Sequence, residues 1–118
     1  MELKSLEKEL LSKKGAKKEF PFGDNIMVFK VQNKMFALIS WEENPLKINL
    51  KCEPSDAIAY REIYPCVSSG YHMNKKHWNT ITIDGSMKEE IFKDMINDSY
   101  DLVVSKLTKK EKEHLSSL

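Results

Sequence analysis

The chain has 118 residues, of which 41% are hydrophobic and 31% charged, and this composition is typical of one globular domain with its own core. It contains only four glycines and four prolines, which excludes collagen-like, low-complexity and fully disordered proteins. No apolar run reaches the roughly 20 residues of a spanning helix, and the first residues mix lysine with glutamate instead of forming a signal-peptide core. We therefore expect a cytoplasmic protein without a membrane partner.

Charge is balanced overall but uneven along the chain. The net charge is +1, and Arg61 is the only arginine beside 18 lysines. Residues 1–18 carry six lysines and three glutamates, whereas residues 84–105 carry two lysines and six acids. We expect these two segments to attract each other as solvated helix faces packed side by side. Lysine binds phosphate as a point charge and reads bases poorly, so any DNA binding should be weak, salt-dependent and nonspecific.

The first half of the chain predicts two helices around three strands. Leucines at helical spacing predict a helix over residues 2–14, ending at Gly15 as a C-terminal glycine. Residues 26–31 and 35–40 predict a hairpin, and the alternating residues 46–52 predict a third strand with lysines on its outer face. Pro54 opens a predicted helix over residues 55–63, with Ile58 and Ala59 turned inward and Tyr60 or Ile63 as further candidates.

The second half predicts one long strand and two helices. Residues 65–76 form a long loop, with or without a short strand, and residues 78–83 form a strand. Ser86 and Glu89 have the spacing of a capping box and predict a helix over residues 86–97. Residues 97–99 interrupt it, and a last helix carries Tyr100, Leu102, Val103 and Leu107. Residues 1–107 are then one domain, and residues 108–118 a lysine-rich tail that frays or adds one loose turn.

These elements predict an α+β fold. Amphipathic helices at both ends of a run of antiparallel strands must bury their apolar stripes, so we expect a two-layer sandwich with the terminal helices on one sheet face. The other face stays open, as antiparallel sheets allow. Because side chains alternate along a strand, Trp78 should face away from Ile81 and Ile83, on the surface that carries Lys47 and Lys51.

The segment YHMNKKHWNT at residues 71–80 concentrates two of the three histidines, two lysines and an indole. It resembles the signature of the MmcQ/YjbR family of small bacterial proteins. The likeness continues in VFKV at 28–31, KMFA at 34–37, LKC at 50–52 before Pro54, and SYDLV at 99–103, so it covers about residues 20–107. The resemblance implies a frataxin-like, CyaY-like sandwich and a DNA-binding role through wing-like hairpins. The chain departs from the family at Asn33, where many members have glycine, and at Lys76, where arginine is common.

Catalytic and metal-binding alternatives have little support in the sequence. Cys66, His72 and His77 are three conceivable zinc ligands, but no second ligand pair accompanies them, and a histidine beside a buried aromatic more often holds a loop. Cys66 between Pro65 and Val67 is typical of a small buried hydrophobe, not of a nucleophile. We expect no metal, no cofactor and no enzymatic activity.

We therefore predict a monomeric protein that binds DNA weakly through phosphates. Tyr64, Tyr71 and Trp78 form either a stacking platform for bases or a plug at the end of the core, and the plug is the commoner use of such residues. The alternative function is a protein-interaction or small-ligand module on the open sheet face. The predicted nucleic-acid-binding residues are Lys47, Lys51, His72, Asn74, Lys75, Lys76 and Trp78.

Overall fold

The computed structural model describes residues 1–70 and 73–118, and within them the chain forms four helices and six strands. The helices are α1 (Leu3–Leu11), α2 (Pro54–Ile63), α3 (Glu89–Ser105) and α4 (Lys109–Ser116). The strands are β1 (Lys17–Glu19), β2 (Ile26–Val31), β3 (Lys34–Ser40), β4 (Lys47–Lys51), β5 (Val67–Ser69) and β6 (Trp78–Thr82). They make one antiparallel sheet in the order β1-β2-β3-β4-β6-β5.

The predicted sheet is confirmed. All four predicted strands pair in it, with ends that differ by at most one residue from the prediction. Strand β1 was not predicted, and β5 is the short strand that the predicted loop allows; each has three residues and lies at one edge of the sheet. Helix α2 begins with Pro54 in its first turn, as predicted. None of the helices in the described ranges is long and apolar enough to cross a membrane.

The helices cover one face of the sheet and leave the other open. The main core joins the apolar side chains of α1, α3 and α4 to the helix-facing residues of the strands, among them Phe29, Ile39, Ile48 and Ile81. A second cluster, made of Val28, Leu38 and Trp78, lies on the opposite face. Trp78 and Ile81 thus occupy opposite faces, as the alternation predicted. The α+β class and its two layers are confirmed.

A β-bulge interrupts the pairing of β3, and a serine of α3 forms hydrogen bonds with the backbone beside it. Phe29 pairs with Ala37 but Lys30 pairs with Met35, which leaves Phe36 as the extra residue of the bulge. The fully buried Ser99 hydroxyl donates to the Phe36 carbonyl oxygen at 2.6 Å and accepts from the Lys51 N–H at 2.9 Å. The Ser99 side chain therefore provides hydrogen-bond partners for two backbone groups that are not paired between the strands.

The hairpin turn between β2 and β3 has two residues, Gln32 and Asn33. Their φ angles are +48° and +63°, so both lie in the left-handed region that a tight hairpin turn requires. Asparagine accepts this conformation more readily than most residues, which explains how the turn accommodates Asn33 without a glycine. His114 Nδ1 of α4 lies 3.2 Å from Gln32 Oε1 and braces the turn.

The C-terminal helices differ from the prediction in three ways. Helix α3 runs without a break through residues 97–99, because Ser99 bonds to the sheet instead of competing for its own helix backbone. The capping box at Ser86 is wrong: the helix begins at Glu89, and the Ser86 hydroxyl donates to Asp84. The frayed end or single loose turn expected after residue 107 is also wrong, since Thr108 and Glu111 form a capping box that starts the eight-residue α4, and Leu115 packs into the main core.

Two further expectations are wrong in the first helices. Helix α1 ends at Leu11 with Ser12 as its cap, so Gly15 lies beyond the helix and is not its C-terminal glycine. In α2 the buried residue is Ala57, whereas Ile58 and Ala59 face solvent and Ile63 is 65% exposed. The small side chain of Ala57 lets the backbone of the helix approach β5 and β6 closely.

The oppositely charged segments meet through polar contacts, not through ion pairs. Lys13 Nζ bonds to Asn97 Oδ1, and the Tyr100 hydroxyl donates to the Lys14 carbonyl oxygen at 2.6 Å. None of the ion pairs among the described residues joins residues 1–18 to residues 84–105. The opposite charges of these two segments therefore form no direct ion pair among the described residues.

We predict that Ser99→Ala lowers the free energy of unfolding by about 2 kcal/mol, because the Phe36 carbonyl and the Lys51 N–H both lose a buried partner. The control is Ser105→Ala in the last turn of the same helix, where an exposed hydroxyl donates to the Leu102 carbonyl. Its effect should stay within about 0.5 kcal/mol. Urea unfolding of both variants provides the measurement, and equal stabilities would refute the bridging role of Ser99.

A matched pair of glycines tests how α4 packs. Gly15 and Gly85 have φ angles of +72° and +84°, so alanine at either costs about 1 kcal/mol of backbone strain. A Cβ on Gly15 would also lie 2.7 Å from Leu115 Cδ1, whereas a Cβ on Gly85 has no neighbour within 4 Å. Gly15→Ala should therefore lower the melting temperature clearly more than Gly85→Ala. Equal shifts would mean that α4 is not seated on Gly15.

Candidate nucleic-acid interface

Lysines gather where the sheet ends beside the C-terminus of α3. Two adjoining hollows of about 280 and 330 Å³ share Lys51, Trp78 and Lys106 in their linings. The first also includes Asn74 and His77, and the second includes Lys34. We call this region, with the neighbouring turn at residues 74–77, the lysine end; its lysines are Lys34, Lys51, Lys75, Lys76 and Lys106.

The strand register explains why Lys51 lies here. Lys51 is the last residue of β4 and pairs with Trp78, the first residue of β6. Its N–H is held by Ser99, which aligns α3 with this end of the sheet. Lys106 caps α3 at its C-terminus, where the helix dipole favours a cation.

The turn that carries Lys75 and Lys76 is held by several hydrogen bonds. Asn74 accepts from the His77 and Trp78 N–H groups through its carbonyl, and from the Lys76 N–H through Oδ1 at 3.0 Å. Arg61 Nη2 donates to the Lys75 carbonyl at 3.2 Å, and the His77 carbonyl accepts from the Cys52 N–H at 2.8 Å. Asn74 and Arg61 therefore position the exposed lysines, and the only guanidinium of the chain binds protein backbone.

Trp78 is part of the fold at this end. It exposes 7% of its surface and packs with Val28 and Leu38, and Met73 lies against the same cluster. The Gly70 N–H donates to the Trp78 carbonyl at 2.8 Å, and a Cβ on Gly70 would lie 2.8 Å from Trp78 Cβ. Tyr64 packs on the other core, so the two described members of the suggested stacking platform do not share a surface. This arrangement favours the core plug over stacking of bases.

The structure brings only some of the predicted site residues together. Lys51, Asn74 and Trp78 line one hollow, with Lys75 and Lys76 in the adjacent turn. Lys47 lies at the opposite end of β4 and forms an ion pair with Glu43 at 3.5 Å. His72, with Tyr71, lies outside the described residues. The sequence analysis missed Lys34, Lys106 and His77 as neighbours of Lys51, since only the strand register and the unbroken α3 bring them near.

The five lysines of the lysine end lie close together, and none of them is in an ion pair among the described residues. Among the described residues, the lysines in ion pairs are Lys18, Lys30, Lys47 and Lys93, none of which belongs to the lysine end. Glu53 is the acid in the lining of the two hollows. Farther along α3 the carboxyl groups crowd: burial, together with Asp94 and Asp101, raises the pKa of Asp98. The lysine end is therefore a basic region that adjoins an acidic stretch of α3.

The two thiols of the chain are buried or half-buried. Burial, followed by the charges of Asp56, Asp98 and Glu53, raises the pKa of the Cys52 thiol from 9.0 to about 11. Cys66 is buried, and no group of three or more histidine, cysteine or acidic residues there is arranged to hold a metal ion. The expectation that the protein binds no zinc stays a prediction that elemental analysis can test.

We predict that Cys52 reacts slowly with alkylating reagents, because the thiolate is the nucleophile and the raised pKa keeps it protonated. Its iodoacetamide rate should still rise about tenfold per pH unit between pH 8 and 10, whereas a thiol of ordinary pKa levels off near pH 9. Peptide mapping separates Cys52 from Cys66, and the denatured protein is the control. A plateau near pH 9 in the native protein would contradict the raised pKa.

Comparison with known proteins identifies relatives along most of the chain. The model of the YjbR family matches residues 11–102. The uncharacterized protein YbdF of Escherichia coli O157:H7 is 40% identical over 96 residues, which are 81% of this chain and 79% of that protein. The uncharacterized protein YjbR of Escherichia coli K12 is 27% identical over the full length of both.

Solved structures agree with the fold. The crystal structure of protein DR2400 of Deinococcus radiodurans, with the domain DUF419, superposes with a TM-score of 0.92 at 34% identity and covers 98% of this chain and 88% of that one. A Pseudomonas syringae protein superposes with a TM-score of 0.74 at 24% identity, covering 86% of this chain and 98% of its own, and this likeness concerns the fold alone.

Proposed function

The chain belongs to the YjbR family, and its resemblance to that family implies a DNA-binding role. We propose that this protein binds DNA weakly and nonspecifically through the lysine end. The binding is not enzymatic: the lysines neutralise backbone phosphates and no bond is broken. One observation carries the proposal. Five lysines without an ion-pair partner in the described part of the chain converge on one end of the sheet.

The chemistry of the lysine end fits phosphates better than bases. An ammonium group binds phosphate oxygen as a point charge, whereas base reading relies on the arginine fork. The single arginine is already bonded to the Ala57 and Lys75 carbonyls. Trp78 is buried, so it supports the turn and does not stack on bases. Affinity therefore comes from counterion release and is the same for most sequences.

The acids of α3 and Glu53 keep this binding weak. They lie beside the lysine end and repel phosphates that extend past it. A small contact of this kind is consistent with a protein that acts as a monomer in the cytoplasm, where bacterial DNA is found. Both of these points, and the CyaY-like assignment of the fold, stay predictions.

The experiment compares two double variants that remove the same charge. Lys75→Ala with Lys76→Ala removes two exposed lysines of the lysine end, and Lys4→Ala with Lys8→Ala removes two exposed lysines of α1. Fluorescence anisotropy with a labelled duplex, at about 50 and 200 mM salt, gives the affinity and its salt slope. We expect the first variant to flatten the slope by about two units and the second to leave it unchanged.

Two results would overturn the proposal. The first is wild-type affinity and slope in the variant of residues 75 and 76. The second is an equal loss in both variants, since net charge and not the lysine end would then control binding. Unfolding curves of both variants confirm that they remain folded, which is expected because all four side chains are exposed.

The alternative function, a small ligand or protein bound on the open sheet face, is favoured by a separate observation. A groove of about 720 Å³ crosses that face, and none of the five lysines of the lysine end lines it.

A further inference from the structure

We propose that the groove on the open sheet face binds a neutral small molecule in which an apolar ring or chain is joined to a hydroxyl-bearing group. This inference develops the alternative function and does not depend on DNA binding. The groove volume of about 720 Å³ lies within the roughly 300 to 1,000 Å³ typical of small-molecule sites. Its lining draws on five adjacent strands, β2, β3, β4, β6 and β5. At a spacing of about 4.8 Å these strands span about 19 Å.

One side of the groove is apolar. Ile26 of β2 and Leu38 of β3 form its floor, and Phe22 from the preceding loop stands beside them with 57% of its surface exposed. The Trp41 indole N–H donates to the Asp24 carbonyl at 2.7 Å and fastens this loop. An exposed aromatic side chain on a fastened loop offers a ready contact for an apolar group, and a ligand that covers it removes apolar area from water.

The other side of the groove is polar and carries hydroxyl and amide groups. The strand register places Asn49, Thr80 and Ser68 in one row, with Thr82 in the next row. The Thr80 hydroxyl donates to Asn49 Oδ1 at 2.6 Å, which fixes the amide. The Asn49 Nδ2 hydrogens have no partner among the described residues, and Ser68 is exposed. This row offers both donors and acceptors to a ligand with several hydroxyl groups.

The charges of the groove cancel. Lys47 and Glu43 are the charged side chains in its described lining, and they form an ion pair at 3.5 Å. An anionic ligand would have to replace Glu43 as the partner of Lys47. A cationic ligand would have to replace Lys47 as the partner of Glu43. The groove therefore suits a neutral ligand, divided across the strands into an apolar half over β2 and β3 and a hydroxyl half over β4, β6 and β5.

Phenyl β-glucoside is a probe with both halves, and glucose and phenol represent each half alone. In a titration monitored by the amide chemical shifts of the protein, the glycoside should shift the signals of Leu38, Asn49 and Thr80. The affinity for the glycoside should be at least about tenfold above the affinity for glucose or phenol. Phe22→Ala should weaken binding at least about fivefold. The control is Phe20→Ala, which changes another exposed phenylalanine of the same loop that does not line the groove.

Absence of saturable binding, equal affinity for glucose or phenol, or wild-type affinity in Phe22→Ala would each overturn the inference. The variant Lys75→Ala with Lys76→Ala should bind the glycoside like the wild type, because those lysines do not line the groove. Measuring DNA and glycoside binding on the same variants therefore separates a failure of the DNA proposal from a failure of this one.

Discussion

The arrangement of the molecule depends on the two hydrogen bonds that the Ser99 hydroxyl forms with β3 and β4. A bulge at Phe36 ends the regular pairing of β3 with β4, and without a replacement partner the Phe36 carbonyl and the Lys51 N–H would be buried and unpaired. Because the replacement comes from α3, it also determines where this helix crosses the sheet. The position of Lys106 relative to Lys51, and so the shape of the lysine end, follows from this one hydroxyl.

The strands were predictable because alternation, β-branched residues and turn signals all agreed in them. The α+β class followed from the order of the elements. The errors lie where tertiary contacts override a local signal. Residues 97–99 have the composition of a helix break, yet Ser99 finds its partners on the sheet and the helix continues. Ala57, not Ile58, is buried in α2, since the distance between helix and sheet decides which side chain fits.

The candidate site was predicted in part. The lysines of residues 75 and 76 and the strand-end Lys51 were recognised from composition and parity, but parity cannot tell which end of a strand a residue occupies relative to other elements. In the structure, Lys47 therefore lines the groove, and Lys106 lies at the lysine end. The groove itself left no signal in the sequence, because its polar half is assembled from one or two residues from each of three strands that are far apart in the chain.

The sheet separates two chemical environments by only a few residues of strand. At its end, unpaired ammonium groups surround a buried indole; on its open face, an ion pair cancels its own charge beside hydroxyl groups. Trp78 and Met73 lie between them. The hollows of the lysine end and the groove thus have no described lining residue in common.

The close approach of Leu115 to Gly15 has a consequence for how relatives of this chain diverge. The family match ends at residue 102, before α4, whereas Gly15 lies inside it. Without the final helix, a side chain at position 15 would no longer meet Leu115, and asparagine or another residue that tolerates a positive φ would fit there. Where the helix is present, a side chain at position 15 displaces the end of the residue at position 115. Two positions separated by one hundred residues therefore share one small space in this chain.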